Sequence, residues 1–386
     1  MIKIENSDIE QISKTYFESI KVVLLERSQY YLDVLNVLFN NTNFLTIATG
    51  GPHGTTKKSL INLFLITNQK LNDQNHFQDV TQENCNSWVI ANHDILRDIA
   101  NYINNEINLK ELILCKPDDA IAIENKVKAS IGINIANYTP HIISFIKNII
   151  SYPLFDDFAY RIASDLNVNT CPYCNRNYIN TVITKNNQCI IRPTFDHFFP
   201  QSKHPFLSLS FYNLIPSCYY CNSSLKSAAT IDINTHIHPY KEGFDLDTTF
   251  RILVKGCKPN KSDPDNYTLL FYDNMDATLL NDRYRKIFGG TRIVKNLNEG
   301  NLNLFRLADI YQSHLDIVGE LIVKCDSLSS GYSDSLHKIL GLLNTNKSEF
   351  YQFHFGNYFN ESDFNRRPMA KLTKDVVSQV LPNFIR

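Results

Sequence analysis

Cys171-Pro172-Tyr173-Cys174, then Phe195-Asp196-His197-Phe198-Phe199-Pro200, then Cys218-Tyr219-Tyr220-Cys221-Asn222 follow one another between residues 171 and 222. Each CxxC pair lets the two thiolates of one tight turn reach a single ion. Two such turns supply four sulfurs, the closed tetrahedral shell of structural zinc. The residues between them, 175–217, exceed the spacing of a simple zinc ribbon, so another segment is inserted between the knuckles. The chain has nine cysteines, an odd number, and no secretory leader is visible after Met1-Ile2-Lys3-Ile4-Glu5. That usage favours metal binding in a reducing compartment over a disulfide framework. Cys189 has no partner at knuckle spacing and reads as a strand cysteine. Cys85, Cys115, Cys257 and Cys325 read as core residues.

The inserted segment begins with a strand-like run, 190–195, that delivers Asp196 and His197 before Pro200 stops it. A loop follows over 201–209, containing Pro205. Phe211-Tyr212-Asn213-Leu214-Ile215-Pro216 then leads into the second knuckle. Asn222 comes directly after Cys221 in Cys-Asn-Ser-Ser-Leu-Lys, which opens a helix. A histidine alone is as often a satisfied core residue as a functional one. One that follows an aspartate between two knuckles reads as functional rather than as a satisfied core residue. Asn213 also reads as a turn cap, and Lys226 also reads as a solvated helix residue. His204, His236 and His238 read as structural, or merely near a substrate.

The order CPYC, FDHFFP, NLIPSC-x2-CN-x3-K resembles the four-cysteine zinc branch of the HNH endonucleases, the ββα-metal nucleases, over residues 165–245. Together with His238-Pro239-Tyr240 and the large flanks, it is similar to HNH proteins of bacterial anti-phage systems of the Septu and retron-associated type. Those work with an ABC/SMC-like ATPase. The resemblance implies an α+β chain built around a zinc-stapled ββα-metal module. It implies metal-dependent endonuclease activity, on DNA before RNA, in antiviral defence.

It also implies roles. Cys171, Cys174, Cys218 and Cys221 hold a structural zinc. His197 is the general base, and Asp196 is a hard ligand for one catalytic Mg²⁺ or Mn²⁺. Asn222 adds an amide oxygen to that metal. Asn213 ties the loop and orients His197 through a backbone carbonyl. Lys226, one helical turn after Asn222, holds a substrate phosphate. Many members carry His where Asn222 stands, which implies a more weakly held metal here. Three rivals remain open: the same site acting on RNA such as tRNA, a non-catalytic zinc module that binds nucleic acid, and a scaffold that reaches an ATPase through residues 1–160. The second leaves Asp196, His197 and Asn222 unexplained.

Working outward, 386 residues suggest two or three domains. Residues 1–170 carry 14 Lys+Arg against 19 Asp+Glu, residues 171–245 carry 6 against 4, and residues 246–386 carry 18 against 16. Nucleic acid is therefore expected on the middle and C-terminal parts rather than on the acidic first part. Apolar residues recur at helical spacing from Ile9 through Ile12, Tyr16, Ile20, Val23, Leu24, Tyr31, Val34, Leu35 and Leu38. Helices are also expected over 86–105 and 120–150, with a short apolar strand or turn at 44–48. Residues 1–160 thus read as a mainly helical domain, 161–245 as the nuclease module, and 246–386 as a C-terminal α+β region for substrate binding. In that last region 250–254 and 267–272 read as strands. Helical periodicity returns at Leu315, Ile317, Val318, Leu321 and Ile322, with another helix expected over 335–343. Arg366-Arg367-Pro368 and the tail around them carry no signal. Gly50-Gly51-Pro52-His53-Gly54-Thr55-Thr56-Lys57-Lys58-Ser59 fails the G-x4-G-K-[ST] spacing and reads as a plain loop. The longest apolar run, 142–150, contains Ser144, Lys147 and Asn148, so no membrane span is expected and the location reads as cytoplasmic.

Overall fold

The computed structural model describes residues 1–40, 50–55, 82–134, 137–227, 229, 231–244, 248–273, 293–294, 300–329 and 346–382. The elements expected at 44–48 and 335–343 lie outside them. The chain is mixed helix and strand, and it divides into two units. A helical unit comprises Ser7–Asp165 and His197–Leu214; a cysteine unit comprises Met1–Asn6, Leu166–Asp196 and Ile215–Arg386. Residues 161–245 are therefore shared between the units, and the residues after 245 group with the cysteines.

In the helical unit, α1 (Ile9–Phe39) contains neither Gly nor Pro and is amphipathic. Ile12, Tyr16, Ile20, Leu24, Tyr31, Val34 and Leu35 are buried along it. Next, α2 (Gln82–Ile103) buries Leu96, Ile99, Ala100 and Ile103. The following helix, α3 (Glu106–Leu114), starts where the Asn105 side chain accepts from the amides of Ile107 and Asn108. The helical stretch expected over 120–150 consists of two helices, α4 (Ala120–Ser130) and α5 (Pro140–Ile149). Gly132, with φ at +70°, breaks the first. Thr139 caps the second, with Pro140 in its first turn. Arg27, buried on α1, donates to the carbonyls of Ile149, Asn148 and His53. It thereby satisfies groups that the C-terminus of α5 would otherwise leave bare. The Gly50 stretch, as far as Thr55, is a tight turn with Gly51 N–H donating to the Thr55 carbonyl; its remainder, 56–59, lies outside the described residues. The last long helix is α6 (Asp156–Leu166), with Asp156 and Asp157 favourably placed in its first turn.

In the cysteine unit, β1 (Val182–Ile183) and β2 (Cys189–Ile191) form an exposed hairpin. Strands β3 (Thr194–His197) and β4 (Leu214–Ser217) pair with each other. A π-helix follows at Tyr220–Lys226. Then β5 (Thr248–Val254) runs antiparallel to β6 (Tyr267–Asp273), from Thr248↔Asp273 to Val254↔Tyr267, and β7 (Ile293–Val294) extends that sheet. Two short helices, α7 (Asn301–Leu304) and α8 (Leu307–Gln312), precede α9 (Leu315–Ser329), which buries Val318, Leu321, Cys325 and Leu328. After α10 (Lys347–Phe355) comes α11 (Ala370–Val380).

Every residue of α11 from Ala370 to Val377 is buried. Its Lys371 and Asp375 pair internally at 2.9 Å, and Asp375 also accepts from the Phe250 amide of β5 at 2.9 Å. The tail that carries no sequence signal therefore supplies a central helix. The opening residues belong to this unit as well: the Ile2 amide donates to the Pro172 carbonyl at 2.9 Å, and the Ile4 amide to Pro239 at 2.8 Å. Ile2 also packs with Phe364 and Ala370. Among the described residues, no helix is long and apolar enough to cross a membrane.

Candidate functional site

The sulfurs of Cys171, Cys174, Cys218 and Cys221 lie within 4.8 Å of one another, and all four residues are buried. Four thiolates at about 2.3 Å from a tetrahedral zinc stand roughly 3.8 Å apart, so the cluster fits that ion with small adjustment. The first knuckle is a turn closed by Asn175 N–H to the Cys171 carbonyl at 2.7 Å, and by Cys171 N–H to the Asn177 carbonyl at 3.0 Å. Asn175 takes φ of +48°, a left-handed conformation that asparagine tolerates. The Asn177 amide donates to Cys218 Sγ at 3.3 Å, a bond between the knuckles of the kind that steadies thiolate ligands. Burial pushes the Cys171 thiol well above its usual range, while hydrogen bonds from the other three sulfurs pull Cys218 down. A single divalent cation bound by these four sulfurs would replace the protons they share.

Asp196 and Lys226 lie deeper than the sequence suggests. Asp196 is 3% exposed and Lys226 is 2% exposed. The Lys226 ammonium sits 2.9 Å from one carboxylate oxygen, and the Tyr173 hydroxyl donates to the other at 2.6 Å. Burial raises the Asp196 carboxyl above its usual range, and Lys226 and Tyr173 oppose that rise. Burial also pushes the Tyr173 phenol well up, so Tyr173 remains a neutral donor. Both carboxylate oxygens are thus engaged, and a cation already stands beside them. A phosphate contact by Lys226 would require this pair to open. Asn222, half-buried at the start of the π-helix, places its amide nitrogen 3.5 Å from the Phe195 carbonyl. That helix closes with Ser227 N–H to the Asn222 carbonyl at 3.0 Å, an i+5 bond, rather than continuing as the expected α-turn.

His197 and Asn213 belong to the helical unit. His197 is half-buried, and its Nε2 is 2.9 Å from the Ser208 carbonyl. A carbonyl only accepts, so Nε2 carries the proton and Nδ1 is the basic nitrogen of the neutral ring. The Tyr152 ring stands edge-on at 4.5 Å. Asn213, 4% exposed, has its side chain fully used. It donates to the carbonyls of Phe199 at 3.1 Å and Leu207 at 2.9 Å, and accepts from the Phe199 amide at 2.7 Å. Leu207 is followed by Ser208, so Asn213 fixes the stretch whose carbonyl holds His197.

Several residues escape the sequence. Asn175 looks like an ordinary residue beside a knuckle, yet it is 1% exposed. Its side chain donates to the Phe364 carbonyl at 2.9 Å and accepts from the Lys371 amide at 3.1 Å, docking α11 on the knuckle. Tyr311 donates to the Cys174 carbonyl. Ser208 contributes only a carbonyl, which no side-chain pattern reveals. Of the other cysteines, Cys115 and Cys325 are buried as expected and Cys189 lies exposed on β2, but Cys257 is exposed rather than core, because the loop after β5 carries it outward. Neither a protein-family model, nor a curated protein, nor a solved structure matches this chain.

Proposed function

We propose that this chain is an HNH-type nuclease whose cysteine unit is stapled by one structural zinc and whose base is His197. The supporting observation is the buried four-cysteine cluster, whose two halves bracket a segment holding His197 on a backbone carbonyl. In this reading Nδ1 of His197 takes a proton from water as the water oxygen attacks phosphorus. Nε2 donates its proton to the Ser208 carbonyl, which favours the Nε2–H tautomer and fixes the ring's orientation. Asn213 keeps that carbonyl in place.

The resemblance implies a catalytic Mg²⁺ or Mn²⁺ at Asp196 and Asn222. Asp196 does not fit that group as it stands, because Lys226 and Tyr173 take both of its oxygens. No step is therefore routed through a metal at this position. DNA is the proposed substrate, RNA such as tRNA is the alternative, and antiviral defence with an ABC/SMC-like ATPase partner is the proposed setting. These three rest on the resemblance. The test is incubation of the full chain with plasmid, single-stranded DNA and tRNA, each with Mg²⁺, Mn²⁺ or chelator, beside His197→Ala. Cleavage lost in His197→Ala is expected. Equal cleavage by both proteins overturns the assignment, and a chain lacking 1–160 that retains every partner overturns the ATPase proposal.

A further inference from the structure

The loop that carries His197 holds a second histidine under unusual control. His204 Nδ1 is 2.6 Å from Glu124 Oε2, and Glu124, on α4, is 1% exposed. Lys128, one turn along α4, stands 3.3 Å from the same carboxylate oxygen. Glu124 Oε1 is buried without a hydrogen-bond partner. A carboxylate in the interior costs several kcal/mol of desolvation unless it is paired. Here the buried charge is applied to the ring of a histidine that is itself still 21% exposed. Among the described residues, none hydrogen-bonds His204 Nε2. The carboxylate accepts the Nδ1 proton, fixing the ring and leaving Nε2 as the nitrogen that meets solvent.

The backbone links this ring to His197. His204 N–H donates to the Pro200 carbonyl at 2.9 Å, and the His204 carbonyl accepts from Leu207 N–H at 3.0 Å across the turn Pro205–Leu207. The next residue, Ser208, is the one that holds His197 Nε2 at 2.9 Å. Four residues of such a turn rise only about 8 Å. Two imidazoles, each oriented by its own acceptor, are therefore carried on one short stretch that Asn213 knits together.

We infer that His204, positioned by Glu124, is the proton donor to the leaving oxygen in the phosphodiester hydrolysis proposed above. The inference rests on that reading. Water's oxygen forms the new P–O bond and gives its proton to His197 Nδ1. The P–O bond to the leaving oxygen breaks, the electron pair stays on that oxygen, and the proton on His204 Nε2 moves to it. His204 ends as the neutral Nδ1–H ring, still on Glu124. His204 is a catalytic residue in this scheme and Glu124 a positioning residue.

A bridging phosphorothiolate separates this role from others, because a thiolate leaves without protonation. The full chain, His204→Ala, His204→Gln and Glu124→Gln are compared on matched oxygen-bridged and sulfur-bridged substrates in Mn²⁺. Both His204 variants should lose about 10²–10⁴-fold on the oxygen substrate and little on the sulfur one. Glu124→Gln should show a smaller loss with the same substrate dependence, and His197→Ala should fail on both. Variants at His204 that cleave the oxygen substrate as fast as wild type, or that slow equally on both, overturn the inference and leave the nuclease reading standing. Wild-type protein that cleaves neither substrate overturns both.

Discussion

Asp196 and His197 are neighbours in the chain and opposites in environment. Asp196 is enclosed in the cysteine unit, its two oxygens held by a lysine that follows Cys221 and a tyrosine that precedes Cys174. His197 is half-open in the helical unit, held at one nitrogen by a main-chain carbonyl. Strand β3 thus ends on two consecutive residues of different kinds, one enclosed by an ion pair and one half-open. A motif that sets the two side by side says nothing about this difference.

The comparison can be broken most severely at the knuckles. Cys171→Ser or Cys221→Ser should abolish zinc binding and unfold the cysteine unit, since structural zinc contributes on the order of 10–16 kcal/mol in small domains. Metal analysis and thermal melting check this, and purified wild-type protein without zinc would refute it. Next comes His197→Ala, expected to lower kcat by about 10²–10⁴-fold while zinc content and melting temperature stay near wild type. A large drop in melting temperature would move His197 to the structural side of the comparison.

Lys226→Met leaves the Asp196 carboxylate buried without its cation, at a cost of about 3–5 kcal/mol in urea unfolding. Adding Asp196→Asn to it should recover most of that loss. If Lys226→Met instead tightens Mn²⁺ binding in a spectroscopic titration with little loss of stability, Lys226 is a removable cap on a metal carboxylate. Asn213→Ala strands the Phe199 amide and should cost about 1–3 kcal/mol with a partial loss of cleavage. A pH-dependent effect confined to alkaline conditions concerns Lys374, whose ammonium burial pulls down from 10.5 to about 8. Below that value the folded chain bears the full cost of the buried charge. Between about pH 8 and 10.5 the unfolded state binds more protons, so this group's contribution to stability rises with pH. The difference between wild-type and Lys374→Met melting curves across that window should show it.

What the sequence reveals here follows the range of the interaction involved. The knuckles are legible because a two-residue gap is covalent geometry. Strands β5 and β6 are legible because alternation and turn residues are local. Helix α11 is not, because Lys371, Lys374 and Asp375 look like a solvated face until their internal partners are known. The four-residue spacing from Asn222 puts Lys226 on the same side of the helix but cannot give its depth, and depth decides between a phosphate contact and a partner for Asp196. The break at Gly132 depends on a single left-handed residue inside an otherwise helical pattern. His204 reads as incidental because its partner, Glu124, is 80 residues away.

The pairing of Ile2 and Ile4 with Pro172 and Pro239, and of Ile2 with Phe364 and Ala370, also sets a schedule. A ribosome adding about 5–20 residues per second delivers Ala370 roughly 20–70 seconds after Ile2 has been joined. Residues 7–165 can leave the exit tunnel and collapse well before then. The two isoleucines must wait for partners made far later, so a segment synthesised early is among the last to find its place.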